Sequence, residues 1–414
     1  MTRSARLAPL RYPAFRHLVT AKTASTVGSW MQLVAAGWLT LKLTGSAASV
    51  GLITVASRGP GVVMATYGGV IADRGGARRI GIIVSLLQTM AAALLVVTAS
   101  AHTISVAVIY GATLVIGVGS AMTAPLIQGI VPHSVPDGML AQANSINSTA
   151  YTTARMIGPL VGGGLVAALG ASWCFAINAV SFLAVVALFL SLPRDVEHRA
   201  HQTVKLRTAL HHARVIPLLG GILVTIGAFS AFVAPIQELA PVIAREHGSG
   251  AHLVGFLLGA LAFGGVLGSL FVPKVVADDL PRNYVLAATC GLAGLSIVAL
   301  GFAPDIVTAL IAMLAAGLFW EVYFVSAQTG LVTISPHEVV GSETGLFYAL
   351  TLGGLALGAP LLGLLVDATS VRVALSVSGS LMVLVALGRA IRLRHRLRTE
   401  AVADDSLVTI NPPR

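Results

Sequence analysis

Long apolar segments recur along the whole chain, and they constrain its fold more than any other feature. A helix needs about 20 apolar residues to cross the hydrocarbon core of a bilayer. Hydrophobic residues make up 56% of the 414 and charged residues only 10%, against roughly 25% charged in a soluble domain. We therefore predict an all-α membrane protein with twelve transmembrane helices. These helices are expected at 15–41, 46–72, 79–100, 103–130, 141–168, 172–192, 216–243, 252–276, 283–302, 305–332, 342–366 and 371–391.

Basic residues are distributed unevenly between the predicted loops. When the N-terminus is placed in the cytoplasm, 20 of the 26 Lys and Arg residues fall in or beside cytoplasmic segments. Cytoplasmic loops of membrane proteins carry such an excess, so we predict a multi-pass protein of the cell (inner or plasma) membrane with both termini cytoplasmic. The net charge of +10 follows from this topology, because the basic residues form no stripe interleaved with aromatic side chains. No nucleic-acid partner is expected.

Cysteine and histidine form no pattern typical of a metal or cofactor site. Cys174 and Cys290 each fall inside an apolar run, where a free cysteine behaves as a small core residue. Four histidines accompany the arginines of the polar segment 193–215. Their spacing matches no set of metal ligands, so a solvated basic linker beside the lipid headgroups is favoured over a metal site. We expect no metal and no cofactor.

An internal repeat divides the chain into two parts. Residues 157–162 pair with residues 358–363 at an offset of 201, and shorter similarities follow at offsets of 204 and 205. Parallel halves with a site between them near the midplane are the plan of many transporters. We therefore predict two pseudo-symmetric six-helix halves. The predicted parts are an N-terminal half at 1–192, a cytoplasmic linker at 193–215, a C-terminal half at 216–392 and a disordered cytoplasmic tail at 393–414.

A dense cluster of glycine and charge lies between the second and third predicted helices. Its charged side chains would be costly in hydrocarbon, so the cluster is predicted to form a tight turn in water. The cluster consists of Gly69, Asp73, Arg74, Gly76, Arg78 and Arg79.

This turn resembles a motif of the major facilitator superfamily. It fits the loop pattern Gly-x-x-x-Asp-Arg-x-Gly-x-Arg-Arg at every defined position. The segments 28–32, 141–145 and 174–182 are similar to the branch that contains the enterobactin exporter and the macrolide efflux proteins. The resemblance implies the major facilitator fold. We interpret Asp73 as part of a conformational switch that pairs across helix ends in one state and releases in the other.

The fifth predicted helix resembles the antiporter motif of the same superfamily. The pattern Gly-x-x-x-Gly-Pro-x-x-Gly-Gly is matched with alanine in place of its first glycine, and this resemblance implies a proton-coupled exporter. Small residues at four-residue spacing allow close helix packing, so packing is favoured over ligand contact for the glycines. The motif residues are Ala154, Gly158, Pro159, Gly162 and Gly163.

Five charged residues are predicted to lie within helices: Lys22, Arg58, Arg155, Glu238 and Glu321. Each costs about 2.5–3.5 kcal/mol at a helix centre, so each should face a water-filled cavity or another charge. For Lys22 a structural role at the helix end is an equal alternative. For Arg58, a place in a helix interface is an equal alternative to the cavity.

The two acidic residues are the candidates for proton coupling or gating. Glu321 lies well inside the tenth predicted helix and is the best candidate for coupling; a gate pair with a neighbouring arginine is its alternative role. Glu238, near the outer end of the seventh helix, is favoured as a gate. The substrate cavity is predicted to be lined by Lys22, Ser29, Gln32, Arg58, Arg155, Trp320, Tyr323 and Tyr348.

The sequence thus predicts a secondary active exporter that works by proton antiport and alternating access. The expected substrate is an amphipathic organic solute such as a drug, a macrolide or a siderophore. Its other expected partners are protons and the lipid bilayer, and we expect a monomer. Uptake by symport is the alternative within transport, disfavoured by the motif in the fifth helix. An integral membrane enzyme or receptor is less favoured, since the chain carries no catalytic metal, nucleophile or phosphate-loop motif.

Overall fold

The computed structural model describes residues 7–136, 138–192, 206–248, 250–277, 282–336 and 339–410. These residues form α-helices joined by short turns, with two 3-10 turns at Ala8–Arg11 and Val131–Ser134. In chain order the helices are α1 (Pro13–Thr44), α2 (Ala47–Gly75), α3 (Ala77–Ser100), α4 (Val106–Ile130), α5 (Leu140–Ala168), α6 (Ala171–Ser191), α7 (Leu206–Val215), α8 (Pro217–Phe232), α9 (Pro235–Glu238), α10 (Ala240–Glu246), α11 (Ala251–Ala277), α12 (Arg282–Gly301), α13 (Ile306–Ile334), α14 (Val340–Ala368) and α15 (Val371–Ile410).

Local signals at the helix ends explain why the turns are short. Gly45 ends α1 in the left-handed conformation, with φ of 69°, and donates its N–H to the carbonyl of Leu41, as glycine commonly does after a helix. The Ser46 side chain then accepts the N–H of Ser49 and caps α2. At the start of α13, Asp305 and Thr308 form a reciprocal capping box. Successive helices therefore run antiparallel.

Ten of the described helical segments are long and apolar enough to cross a membrane. The helices α1 and α5, with 32 and 29 residues, are long enough but fall outside this set. Both carry many polar residues, and those of α1 include five that line the interior cavity described below. The chain is thus an all-helical, multi-pass membrane protein, while the count of twelve spans and the pseudo-symmetric layout stay predictions.

The seventh predicted span, 216–243, is broken in the structure. Helix α8 ends at Phe232, and α9 and α10 follow as short separate helices. Pro235 and Pro241 lie in the first turns of α9 and α10, where the missing N–H of proline costs nothing but an incoming helix cannot continue through it. The expectation of one continuous helix is therefore wrong here, and the break holds Glu238 with 6% of its surface exposed.

One prediction about the polar segments needs correction. The tail was expected to be disordered from 393, but α15 continues to Ile410, since its arginine, leucine and alanine residues all favour helix. The second part of the predicted linker forms the amphipathic helix α7, whose Ala209 is buried against the bundle. The first part, 193–205, and the last residues, 411–414, lie outside the described residues.

We call α1–α6 the first group of helices and α7–α15 the second group, and two main contacts join the two groups. Within the first group α1 packs on α5 and α6, α2 on α4, and α3 on α6. Within the second, α11 packs on α13, α12 on α13 and α15, and α14 on α8. The groups meet mainly where α2 packs on α14 and where α5 packs on α11. We call the side of the bundle at the start of α2 and the end of α14 the far face, because it is opposite the side where α1 begins.

Glycines bring the helix backbones together at both contacts between the groups. A Cβ added to Gly163 would lie 2.8 Å from the backbone nitrogen of Gly255 on α11, and one added to Gly363 would lie 2.5 Å from a carbonyl oxygen at the start of α2. No side chain fits at these distances. The two glycines are 200 positions apart, whereas the prolines of the sequence repeat, Pro159 and Pro360, are 201 apart. The contact register therefore differs by one residue from the sequence repeat.

Candidate functional site

A cavity of about 400 Å³ lies inside the bundle, next to the contacts that close the far face. Its walls come mainly from α1, α2 and α4, with Tyr151 of α5 and Leu352 of α14. Residues of α1 reach it at spacings of three and four, because such positions share one face of a helix. Its predicted wall residues are Lys22, Ser29, Gln32 and Arg58.

Lys22 is held at the cavity wall by a neutral partner. Its Nζ donates a hydrogen bond of 2.9 Å to the Asn147 side-chain oxygen of α5. Among the described residues that line the cavity, Lys22 and Arg58 are the charged ones, and both are cationic. The described wall residues therefore carry positive charge and include no carboxylate.

A buried amide pair holds the part of the cavity wall around Gln32, further along α1. The Asn178 Nδ2 of α6 donates a bond of 2.7 Å to the Gln32 side-chain oxygen, and Ser181 donates to Asn178. Gly28 of α1 lies directly against Asn178, where an added Cβ would be 2.6 Å from its side-chain oxygen. This pairing satisfies the buried amides and fixes the rotation of α1 that turns Lys22 and Ser29 into the cavity.

Two arginines and two tryptophans form a stack beside the cavity. The Arg58 guanidinium lies 5.5 Å from the ring centre of Trp30. Arg155 lies 5.9 Å from Trp30 and 5.2 Å from Trp320 of α13, within the range of cation–π attraction. Because Trp320 belongs to the second helix group, Arg155 bridges the two groups through its planar face.

A polar chain continues from this stack into the break of the seventh span. Arg155 donates a bond of 2.9 Å to the Gln237 side-chain oxygen, and Gln237 donates one of 3.2 Å to Glu238. The buried Glu238 carboxyl feels the positive charges of Arg58 and Arg155. The structure thus joins four of the five predicted intramembrane charges, since Arg155 also acts electrostatically on Glu321. Sequence reasoning missed Gln237, whose only signal was its place between two prolines.

Glu321 lies in α13 where that helix crosses α11. Its side chain is half-buried, and the glycine face of α11 leaves room for it: a Cβ at Gly265 would be 3.8 Å from its carboxylate oxygen. The predicted neighbour Gly317 packs against the backbone of α11. Glu321 is therefore less buried than Glu238.

Four of the eight residues predicted to line the cavity are not among its wall residues. Arg155 and Trp320 belong to the stack beside the cavity, and Tyr323 and Tyr348 lie elsewhere. Tyr323 is fully buried, stacks on Phe229 at 4.8 Å and donates a bond of 2.9 Å to Thr225. Its prediction is wrong because two residues along a helix turn the side chain by about 200°, away from the face that carries Glu321. Tyr348 is 40% exposed and accepts a hydrogen bond from Gln328, outside the 400 Å³ cavity.

Arg389 is another residue whose position the sequence did not indicate. We counted it among the cytoplasmic charges, but in α15 it points into the second helix group. Its Nη1 donates to the Gly221 carbonyl at 2.6 Å and to Thr225 at 2.9 Å. Arg389 thus ties α15 to α8 next to Tyr323.

The far face is closed by a carboxylate that caps a helix of the other group. Asp367, at the end of α14, accepts the Ser46 hydroxyl at 2.5 Å and the N–H groups of Ala47 and Ala48 at 2.7 and 3.0 Å. A carboxylate at a helix N-terminus is favoured by hydrogen bonding and by the helix dipole. Beside it, Arg245 donates to the Gly45 carbonyl at 3.2 Å. We call these contacts of Asp367 the far-face cap.

The five positions of the antiporter-like motif lie at close helix contacts. A Cβ at Gly158 would be 2.7 Å from the Trp30 Cβ, and one at Gly162 would be 2.9 Å from the Met31 backbone. Ala154 and Pro159 are buried in the same helix. The motif residues therefore pack against Trp30, which lines the cavity and lies near Arg155. The motif thus shapes the cavity wall through packing.

The charged turn between α2 and α3 is described only in part. Helix α2 ends at Gly75, and Gly76 follows with φ of 69°. Arg78 donates a bond of 3.0 Å to the Leu190 carbonyl at the end of α6, and Arg79 is exposed. The side chains of Asp73 and Arg74 lie outside the described residues, as does any contact of Gly69.

Comparison with known proteins identifies the family of this chain. A family model described as transmembrane secretion effector matches residues 4–414. The chain belongs to the transmembrane secretion effector family. Within the major facilitator superfamily, this transmembrane secretion effector protein is similar to the enterobactin exporter EntS of Escherichia coli strain K12, with 26% identity over 407 residues, 95% of this chain and 96% of the relative.

Solved structures share the fold of this transmembrane secretion effector protein. The nucleoside transporter NupG superposes with a TM-score of 0.72 at 15% identity, covering 92% of this chain and 98% of its own. A D-xylose–proton symporter gives a TM-score of 0.72 at 14% identity, covering 91% and 97%. The family model and the similarity to the enterobactin exporter confirm the predicted membership of the major facilitator superfamily, and these structures share its fold.

Proposed function

We propose that this protein is a secondary active exporter that carries an amphipathic organic solute out of the cytoplasm by alternating access. The observation that carries the proposal is the cavity of about 400 Å³ beside two helix contacts that close one face. Alternating access requires a central site whose two faces open in turn. The similarity to an enterobactin exporter supports the outward direction and a substrate of siderophore type.

The orientation of the bundle completes the proposal. With both termini in the cytoplasm of a cell whose inner membrane holds the protein, the far face is the outer face. Tyr151 and Tyr348, on the near halves of α5 and α14, are 46% and 40% exposed, which supports an opening towards the cytoplasm. This is the state in which an exporter loads its substrate.

We propose Glu321 as the proton carrier and Glu238 as a gate. Glu321 is half-buried and close enough to Arg155 for the two charges to interact. A proton on Glu321 weakens its attraction for Arg155, which then binds more firmly to Gln237 in the other helix group. Glu238 is buried at the end of this chain of contacts and changes partners only when the groups separate. The turn with Asp73 is proposed as the switch at the cytoplasmic face.

The experiment uses proteoliposomes with an imposed pH gradient and enterobactin as the solute. The wild-type protein is expected to move enterobactin against the direction of proton flow. Glu321→Gln is expected to lower this gradient-driven movement at least about tenfold, because glutamine cannot take up and release the coupled proton. Enterobactin binding to the purified protein should stay within about twofold.

Glu246→Gln is the matched control, because Glu246 is exposed at the end of α10 and should leave transport unchanged. Accumulation of enterobactin in the direction of proton flow would instead indicate symport. Gradient-driven transport by Glu321→Gln at the wild-type rate would remove Glu321 as the carrier.

A further inference from the structure

The charge on the cavity wall indicates a class of substrate. We infer that the transported solute is an aromatic organic anion whose negative group is bound by Lys22. The inference rests on the proposed transport function. It adds the sign of the substrate's charge and the residue that binds the charged group.

The cationic side chains of the wall differ in how their charges are balanced. Arg58 has the carboxyl of Glu238 as an electrostatic partner. Lys22 instead donates to the amide oxygen of Asn147, which holds the ammonium in place without neutralising it. A half-buried ammonium with a neutral partner is poorly solvated, so an anionic ligand gains more there than at an exposed lysine. The wall of the cavity supplies no competing carboxylate among its described residues.

The remaining wall suits a flat aromatic body. Trp30 lies eight residues after Lys22, which places it roughly 12 Å further along α1. Tyr151 lines the cavity from α5, and the Ser25, Thr26 and Ser29 side chains line the path between Lys22 and Trp30. A solute with its anionic group at Lys22 can therefore lay an aromatic ring towards Trp30 and place polar substituents beside the hydroxyls.

The same arrangement disfavours cations of equal size. A cation in this cavity would meet the Lys22 ammonium, and the described wall residues include no carboxylate to pair with it. Like charges brought together in an enclosed site are strongly unfavourable. The wall therefore discriminates by repulsion of cations as well as by attraction of anions.

The test compares three pyrene probes of matched size: 1-pyrenesulfonate, 1-pyrenemethylammonium and neutral 1-pyrenemethanol. Binding to the purified full-length protein is measured by energy transfer from tryptophan to pyrene. We expect the sulfonate to bind at least about tenfold more tightly than the ammonium. Lys22→Gln should weaken sulfonate binding about tenfold and change pyrenemethanol binding by less than about twofold, as loss of one charge contact does. Lys22→Arg should keep the preference for the anion.

Two further variants separate charge recognition from folding. Asn147→Asp keeps the shape of the Lys22 partner but neutralises the ammonium, so it should also weaken sulfonate binding about tenfold. Lys42→Gln removes an exposed lysine at the other end of α1 and should change nothing. Equal loss of all three probes in Lys22→Gln and Asn147→Asp would assign Lys22 a structural role and overturn the inference. Tighter binding of the ammonium probe would overturn it as well.

Transport of the same probes in proteoliposomes distinguishes this inference from the proposed function. If all three probes are moved at similar rates, the transporter proposal stands and the anion inference is wrong. If the sulfonate binds through Lys22 and no probe is moved, the anion site stands and the transporter proposal is contradicted.

Discussion

Arg155 is the residue through which most of the interior contacts pass. Its guanidinium lies between Trp30 and Trp320 and donates to Gln237. A planar guanidinium can stack and donate at the same time, which an ammonium cannot do. The position therefore requires arginine specifically, for geometry as well as charge.

We expect Arg155→Lys to lower the transport rate about tenfold, because it keeps the charge but loses stacking worth roughly 0.5–2 kcal/mol and the hydrogen bond to Gln237. Initial rates of enterobactin transport in proteoliposomes measure the effect. Arg372→Lys is the matched control, since Arg372 lies 5.5 Å from the Phe302 ring on an exposed part of the bundle and should transport normally. A wild-type rate in Arg155→Lys would show that the stack has no role in turnover.

Single residues were predictable where charge alone decided their environment. Lys22 and Arg58 had to reach a polar interior or another charge, and the structure places both on the cavity wall. Tyr323 was not predictable in this way, because an aromatic residue is equally stable in a cavity wall and in a helix interface. Only the rotation of α13, fixed by its packing on α11 and α12, decides between the two.

At the scale of helices, the glycine at position 163 sets the distance between α5 and α11. An added Cβ would meet the backbone of Ala251 and Gly255 at 2.8 Å. The next residue, Gly164, has nothing within 4 Å of an added Cβ. Of these two neighbouring glycines, only Gly163 is in close contact with another helix.

We expect Gly163→Ala to destabilise the protein by about 1–3 kcal/mol, the usual cost of overpacking, because backbone cannot move aside as a flexible side chain can. Thermal unfolding in detergent should show a lower Tm, with reduced transport. Gly164→Ala should leave the Tm unchanged or slightly raised, since alanine favours helix over glycine. Equal Tm values for the two variants would contradict the close contact between α5 and α11.

Helix existence was predictable from apolar length, but helix continuity was not. Mean hydropathy stays high through 216–243, so the sequence predicted a single span there. The helices α8, α9 and α10 are separate because an incoming helix cannot continue through Pro235 or Pro241. The length of α15 was underestimated. Low hydropathy after residue 391 indicates where the apolar span ends, but the helix itself continues beyond that point.

The proposed transport cycle requires that the far face of the molecule closes and opens. Sequence repeats predicted that two sets of helices are related, but not which helices meet across them, since that depends on side-chain fit at distant positions. The structure pairs α2 with α14 and α5 with α11. In the contact between α2 and α14, the far-face cap has the carboxylate of Asp367. The contact glycines of α5 and α14 are 200 positions apart, and the residue of α5 that is 200 positions before Asp367 is Ala167. The closed face is therefore stabilised asymmetrically.

We propose that the far face opens during transport, and the distance between two spin labels on this face reports the opening. Labels at Leu43→Cys and Thr369→Cys, both exposed near the far-face cap, are placed in a protein whose buried Cys174 and Cys290 are replaced by alanine. Asp367→Asn removes the charge and one acceptor of the cap, worth roughly 1 kcal/mol, or about a fivefold shift between closed and open populations.

We expect the wild-type protein to show two label distances, with the longer one enriched by enterobactin at low pH and in Asp367→Asn. Asp305→Asn is the control, because Asp305 caps its own helix and holds no contact between the groups. A single distance that is the same with and without enterobactin, at both pH values and in Asp367→Asn, would contradict alternating access through the far face.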